Sequence, residues 1–226
     1  MGKGYLPLPN QKNYEYGHEL AYKLAREQLA SISDIEALCR KSSARYLEID
    51  SKKVIVFEYL NQSYLISLPD IEISLRNSEE TVPIEDKILM LHYLISAKGT
   101  SLSNRMITYK ELPEGANYFP TFVQRAIKPL LDHFGKEPCR LIDVAGKLGG
   151  SSADYGDAAV TINAFSRVPI TFILWRGDEE FAPRGSIIFD STISDYLSTE
   201  DINVLCPSIA WKLVKLLGGD NPGGRR

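Results

Sequence analysis

Hydrophobic and polar positions change period several times along the chain, and each change marks a predicted element. Between residues 14 and 31, leucines recur among charged residues at helical spacing, which predicts an amphipathic helix. A second, short helix is predicted from Ser33, with Ser33 as N-cap and Glu36 as its capping-box partner. The segment 83–99 begins with proline and ends with glycine, and this punctuation is typical of a helix.

Two other regions have the composition and spacing of β-strands. The first contains three β-branched and aromatic segments between short polar turns and predicts an antiparallel meander, with strands in ARYLEID (44–50), KVIVFEYL (53–60) and QSYLISLP (62–69). The second region contains segments 157–165, 168–175 and 186–190. Its middle segment, VPITFILW, is apolar enough to predict a central strand that is covered on both faces.

Further helices are predicted in the second half of the chain. One spans 119–135 and is expected to kink at Pro129. The last begins with Ser198 or Thr199 as its cap, and its apolar face is expected to include Trp211.

Helices therefore bracket two antiparallel β regions, which predicts an α+β fold rather than a parallel α/β fold. We expect one domain over 1–226, or two intimate lobes over about 14–100 and 101–217. The Gly/Pro-rich segment 218–226 predicts a flexible tail.

Charge and hydropathy narrow the choice of partners. The 226 residues include 26 Lys or Arg and 29 Asp or Glu, a net charge of -3, so nothing electrostatic favours nucleic acid or an anionic membrane. The longest apolar run, around 88–97, is too short to span a bilayer, and the N-terminus lacks the apolar region of a signal peptide. The expected location is the cytoplasm.

The three cysteines are Cys39, Cys139 and Cys206, and no CxxC pair is present. This spacing excludes a zinc or iron–sulfur site built from local cysteine motifs and predicts reduced, structural thiols. Walker A, G-x-S-x-G and HExxH patterns are also absent from the sequence, which makes an enzyme less favoured.

An acidic hairpin is predicted between the last two strands. Its charged residues are Arg176, Asp178, Glu179, Glu180, Arg184 and Asp190. One interpretation is a solvated turn with salt bridges. The other has Asp178, Glu180 and Asp190 converge on a divalent cation, between the flanking aromatic residues Trp175 and Phe181.

His92 is the second candidate for chemistry. It falls on or near the apolar face of the helix 83–97, where a histidine is either a hydrogen-bonded core residue or the axial ligand of a bound metallo-tetrapyrrole. The aromatic segment 103–122 is the third candidate. It is predicted as a long loop whose aromatic residues either line a pocket or pack the loop onto the core: Tyr109, Tyr118, Phe119 and Phe122.

Several stretches together resemble the domain-of-unknown-function family 3786, found chiefly in anaerobic bacteria and archaea. They are ILMLHYLISAKGT, ITYKELPEGANYFPTF, FSRVPITFILWRGDEEFAPRGSIIFD and YLSTEDI. Members often come from organisms with corrinoid-linked metabolism, and some carry a cysteine-rich iron–sulfur segment that this chain lacks. The resemblance therefore favours the tetrapyrrole interpretation of His92, which lies in the matching LHYL motif.

The leading hypothesis is a small-molecule binding protein, most plausibly for a corrinoid or other tetrapyrrole in anaerobic metabolism. His92 is then the axial ligand, and Arg176 and Arg184 contact the ligand's side chains while Asp178 orients them. The pocket wall would be formed by Tyr109, Tyr118, Phe119 and Trp175.

Two alternatives remain open. The first is a metal-dependent enzyme whose divalent cation is held by the carboxylates of the hairpin 178–190, with Asp178, Glu180 and Asp190 as the metal ligands. The second is a non-catalytic module that docks on a corrinoid-dependent or redox protein and exposes an apolar patch near Trp175 or Phe181.

Overall fold

The computed structural model describes residues 11–50 and 52–218, with side chains from residue 15 onward. The helices of these residues are α1 (Gln11–Ala30), α2 (Ile35–Ser42), α3 (Ile84–Ser96), α4 (Gly115–Phe122), α5 (Lys128–Phe134), α6 (Cys139–Ala145) and α7 (Thr199–Leu217). The strands are β1 (Arg45–Ile49), β2 (Lys52–Tyr59), β3 (Gln62–Leu68), β4 (Glu72–Leu75), β5 (Met106–Thr108), β6 (Ser151–Ser152), β7 (Ala158–Phe165), β8 (Val168–Trp175) and β9 (Arg184–Asp190).

The nine strands form one antiparallel sheet in the order β4-β3-β2-β7-β8-β9-β5, with β1 beside β2 and β6 beside β7. The two predicted β regions meet where Tyr59 pairs with Phe165 and the Leu60 N–H donates to Ala164 O at 3.0 Å. Strand β8 is buried along nearly its whole length, as its apolar sequence predicts. The α+β prediction is confirmed.

One hydrophobic core includes residues from both halves of the chain. Tyr93 of α3 stacks on Phe165 of β7 with ring centroids 4.1 Å apart. Its hydroxyl donates to Ser42 O at 2.6 Å, so this large side chain is buried with its polar end satisfied. The division into lobes stays a prediction, and the predicted tail beyond Gly218 lies outside the described residues.

Several predicted boundaries are corrected. The N-cap of α2 is Asp34 rather than Ser33, since the Asp34 side chain accepts from Ala37 N–H. The segment 119–135 is helical, but its irregularity precedes Pro129. Because Pro129 has no N–H for the carbonyl four residues back, the chain widens into a π-helix over Val123–Ile127, in which Lys128 N–H donates to Val123 O.

The aromatic segment 103–122 is not a loop. It contains β5, which pairs with β9, then a 3₁₀-helix (Tyr109–Glu111) and all of α4. The sequence pattern predicted Trp211 on the apolar face of the last helix. In the structure about half of its surface is exposed, and it lies beside a cleft. Within the described ranges, no helix combines the length and apolar character that crossing a bilayer requires.

Candidate functional site

His92 is held by a carboxylate from the opposite end of the sequence. Its Nδ1 lies 2.6 Å from Asp201 Oδ1 on α7, and Asp201 Oδ2 accepts from the Ser198 hydroxyl at 2.7 Å. The hydrogen bond to Asp201 raises the pKa of His92 and outweighs the opposing effect of burial. Burial alone would raise the pKa of Asp201, but the bonds from His92 and Ser198 lower it. The imidazole therefore donates from Nδ1, and its Nε2 has no hydrogen-bond partner among the described residues.

A cavity of about 460 Å³ lies between the 3₁₀-helix, α4 and the N-terminus of α7. It is lined by Tyr109, Pro113, Glu114, Tyr118, Ser198, Thr199, Glu200, Asn203 and Val204. The Thr199 hydroxyl donates to Pro113 O at 2.8 Å and ties the start of α7 to the turn before α4. Tyr109 and Tyr118, which both line the cavity, were predicted as pocket wall.

Tyr109 is positioned by packing. Its ring stacks on Phe122 with centroids 3.9 Å apart. Gly115 makes this close turn possible, because a Cβ there would lie 1.9 Å from the Tyr109 carbonyl oxygen. Glu114, the residue before, is the N-cap of α4 and has a left-handed φ of 56°, which costs energy in a residue with a side chain.

Two residues of the cavity wall each have a buried polar atom without a partner in the part of the chain that the structure describes. Tyr109 is only 1% exposed, yet its hydroxyl makes no hydrogen bond with the described residues, and the same is true of the buried Oδ1 of Asn203. Burial raises the pKa of the Tyr109 hydroxyl, so it stays protonated and can both donate and accept. Such orphaned groups are uncommon in folded proteins and need an explanation, and a bound ligand is one that would supply the missing partner.

A second cleft, of about 510 Å³, adjoins the cavity at Val204. Its walls include the π-helix residues Gln124 and Arg125 and the exposed Trp211. Its buried carboxylate, Asp86, accepts from Tyr59 Oη at 2.8 Å and from Lys212 Nζ at 3.1 Å. The Lys212 ammonium also reaches Ser208 Oγ at 2.9 Å, so the polar network below this cleft is satisfied within the chain.

The acidic hairpin is held by hydrogen bonds rather than by the predicted salt bridges. Asp178 accepts from Phe181 N–H at 2.7 Å and from Glu180 N–H at 2.9 Å, and these bonds lower its pKa. Arg176 and Arg184 are exposed and form no ion pair with any residue that the structure describes.

The predicted convergence of Asp178, Glu180 and Asp190 does not occur. Strand β9 pairs Arg184 with Trp175 at the hairpin end, whereas Asp190 ends the same strand beside Met106. Seven residues of strand separate the two ends by about 20 Å. Across residues 11–50 and 52–218, no three His, Cys, Asp or Glu side chains are grouped as a metal site requires.

Asp190 instead joins β9 to the segment before β5. It accepts from Ser103 and Thr192, through the backbone N–H and hydroxyl of each, and from Asn104 N–H. Burial alone would raise the pKa of Asp190, but the bonds from Thr192 and Ser103 lower it to about 2.

The structure thus separates the predicted site residues. Tyr109 and Tyr118 line the cavity, and His92 is linked to its wall through Asp201 and Ser198. Phe119 is half-buried beneath Lys110, whose Nζ lies 4.4 Å from the ring centroid. The predicted ligand-binding residues that do not line this cavity are His92, Phe119, Trp175, Arg176, Asp178 and Arg184.

Trp175 packs on a small cluster on the other face of the sheet, with Ile173 and Ile188. Sequence reasoning missed Asn203, Glu200 and Asp201. The only signal was the run of acidic residues behind Ser198, which predicts a helix cap and carries no information on the distant partners His92 and Tyr109.

Comparisons with known proteins place the chain by family alone. No curated protein and no solved structure matches it. The family described as "Domain of unknown function (DUF3786)" matches residues 34–211, which is most of the 226 residues and includes every residue that lines the cavity. The chain belongs to this family.

Proposed function

We propose that the protein binds a small organic molecule in the cavity between the 3₁₀-helix, α4 and the N-terminus of α7. The observation that carries the proposal is that Tyr109, a residue of the cavity wall, has a buried hydroxyl with no partner among the described residues. A buried polar group left without a hydrogen bond costs about 1–3 kcal/mol, and a bound ligand would remove that cost.

The size of the cavity supports the same proposal. Ligand sites in proteins have volumes of about 300–1,000 Å³ and combine apolar walls with a few polar groups. This cavity, at about 460 Å³, has two tyrosines, a proline and a valine in its wall. The second cleft is a weaker candidate, because its buried carboxylate, Asp86, already accepts hydrogen bonds from Tyr59 and Lys212.

The proposal is tested by ligand-detected NMR against a fragment library with equal numbers of cationic, neutral and anionic compounds. We expect hits whose binding is lost in Tyr118→Ala, because this removes one wall of the cavity. Tyr155→Ala is the matched control: Tyr155 is 46% exposed against 47% for Tyr118, and it does not line the cavity. A screen without hits, or hits that both variants retain, would refute the proposal.

A second candidate function is axial ligation of a tetrapyrrole, namely a corrinoid, by His92. The favouring observation is the His92–Asp201 pair, since metal-bound histidines usually donate their other ring N–H to a carboxylate. His92 lines neither cavity, so the macrocycle would lie on the surface of α3 beside the half-buried Ile88 and Ile95. Nε2 of His92 would supply the axial lone pair.

Anaerobic titration with cobalamin and with haem, followed by absorbance, tests this candidate. We expect a ligand-field change in the wild type that His92→Ala abolishes. The control is His133→Ala, because the one hydrogen bond of the His133 imidazole among the described residues is to Pro129 O in its own helix. Absence of binding, or an identical spectrum in His92→Ala, would refute axial ligation.

The remaining hypotheses stay predictions. A metal-dependent enzyme would need ligands other than the hairpin triad, since Asp190 lies at the opposite end of β9 from Asp178. A module that docks on a redox protein would use Phe181, which is largely exposed at the hairpin tip.

A further inference from the structure

The cavity has a charge pattern that selects among ligand classes. We infer that it takes an organic cation that donates hydrogen bonds, namely a primary or secondary ammonium attached to an apolar or aromatic group. This inference rests on the proposed binding function and specifies its ligand.

The charges in the wall have one sign. Glu114 and Glu200 line the cavity, and the lining contains neither lysine nor arginine. A carboxylate attracts an ammonium and repels a carboxylate or phosphate, and the attraction is stronger next to a protein surface than in bulk water. A ligand that carries a negative charge is therefore disfavoured.

The unpaired polar atoms of the wall residues favour a ligand that donates hydrogen bonds. Asn203 Oδ1 is a buried acceptor without a donor among the described residues, and the Tyr109 oxygen can accept as well. The neighbouring hydroxyls are already used, because Thr199 donates to Pro113 O and Ser198 donates to Asp201. An ammonium that reaches these atoms can donate to each of them, whereas a carboxylate or phosphate could accept from the Tyr109 hydroxyl but has no hydrogen to offer Asn203.

The N-terminus of α7 does not reverse this preference. A free helix N-terminus has a partial positive charge that repels cations. Here the Ser198 side chain accepts from Asp201 N–H, while the Asp201 carboxylate accepts from Ser198 N–H in a complete capping box. The carboxylates of Glu200 and Asp201 in the first turn offset the remaining partial charge.

Tyr118 supplies an aromatic surface at the cavity mouth. Its side chain is 47% exposed and lines the cavity. A cation above a tyrosine ring is attracted by the negative face of the ring, an attraction that a neutral molecule of the same shape does not have.

The experiment uses three probes of nearly the same shape: benzylammonium, benzyl alcohol and benzoate. Dissociation constants are measured at pH 7 and low salt by two-dimensional NMR of the ¹⁵N-labelled full-length protein. We expect benzylammonium to bind about tenfold more tightly than benzyl alcohol, and benzoate to bind least. Added salt should weaken only benzylammonium.

Charge-neutralising variants assign the effect to the cavity. Glu114→Gln and Glu200→Gln should each weaken benzylammonium about two- to fivefold and leave benzyl alcohol unchanged. Glu179→Gln is the matched control, since Glu179 is also exposed but lies in the hairpin. Thermal unfolding of each variant verifies that the fold is retained.

The outcomes separate the two proposals. Equal binding of benzyl alcohol or benzoate, with sensitivity to Tyr118→Ala, overturns the cation preference and supports the binding function. If benzylammonium binds equally well to Tyr118→Ala, the cation preference of the cavity is also overturned, because the probe then binds elsewhere on the negatively charged protein. If no probe binds and the fragment screen also fails, the proposed binding function itself is refuted.

Discussion

At the scale of single residues, the Tyr109 hydroxyl distinguishes a binding role from a structural one. It is buried without a partner among the described residues, so Tyr109→Phe removes an unsatisfied group and keeps the ring stacked on Phe122. We expect the variant to gain about 1 kcal/mol in free energy of unfolding, measured by urea denaturation, and to bind benzylammonium more weakly.

Tyr93→Phe is the matched control for this prediction. Tyr93 is also 1% exposed, but its hydroxyl donates to Ser42 O. Removing that hydroxyl should lower the free energy of unfolding by about 1 kcal/mol. A loss of stability in Tyr109→Phe equal to that in Tyr93→Phe would mean that Tyr109 has a structural partner, and the binding argument would lose its basis.

The cysteines give a second prediction at this scale. Cys139 is exposed, whereas Cys39 and Cys206 are buried. Burial, with a contribution from Glu36, raises the pKa of Cys39 to about 11, and burial raises the pKa of Cys206 further. Because the thiolate is the reactive form, Ellman's reagent at pH 8 should titrate one thiol in the native protein and three in urea. Three rapid equivalents without urea would contradict the described core.

At the scale of elements, the turn before α4 sets the geometry of the cavity. A Cβ on Gly115 would lie 1.9 Å from the Tyr109 carbonyl oxygen. Gly115→Ala must therefore displace the 3₁₀-helix or α4, and we expect it to lower the free energy of unfolding by about 3 kcal/mol and to abolish probe binding.

Gly146→Ala is the control, because a Cβ there meets no atom within 4 Å. At this position, which ends α6, alanine should be neutral or should stabilise by up to about 1 kcal/mol. Circular dichroism in urea measures both variants. Equal stability of the two would show that the turn at Gly115 is looser than described.

The elements predicted from the sequence are those with a strong local period. Helices α1, α3 and α7 and six of the strands were predicted from local signals, which are periodic apolar positions, the continuous apolar run of β8 and the terminal residues of the helices. The short strands β4 and β6 were not predicted. Strand β5 was missed because it has three residues and is defined by its partner β9, some 80 residues later in the chain. The π-helix was missed because Pro129 was expected to bend the helix at its own position.

The candidate site was less predictable than the fold for the same reason. Tyr109 and Tyr118 were proposed as pocket wall because aromatic residues lie in one short segment. Their polar partners across the cavity, Asn203 and Glu200, come from α7 and share no local pattern with them. The prediction for the hairpin was wrong because Asp178 lies in the loop after β8 whereas Asp190 ends β9, and only the register shows that these positions lie at opposite ends of β9.

At the scale of the whole molecule, the sheet depends on contacts that cross between its two halves. Strands β2 and β7 share one residue pair, so packing of α3 against β7 through Tyr93 and Phe165 contributes to holding the halves together. The edge strand β5 is fixed to β9 by three residue pairs and by Asp190, which accepts from Ser103 and Asn104 just before β5. Protonation of Asp190 in acid should therefore weaken the attachment of β5, the edge strand that immediately precedes Tyr109.

Stability as a function of pH tests this link. The folded pKa of Asp190, about 2, is below the value of 3.8 expected when unfolded, so its contribution is present above the unfolded pKa and is lost as pH falls from about 5 to 2. The shift corresponds to about 2 kcal/mol. Asp190→Asn should lower the free energy of unfolding at pH 7 by about that amount and flatten its decline in acid. The exposed Asp143→Asn should change neither, and parallel acid profiles for wild type and Asp190→Asn would exclude this role.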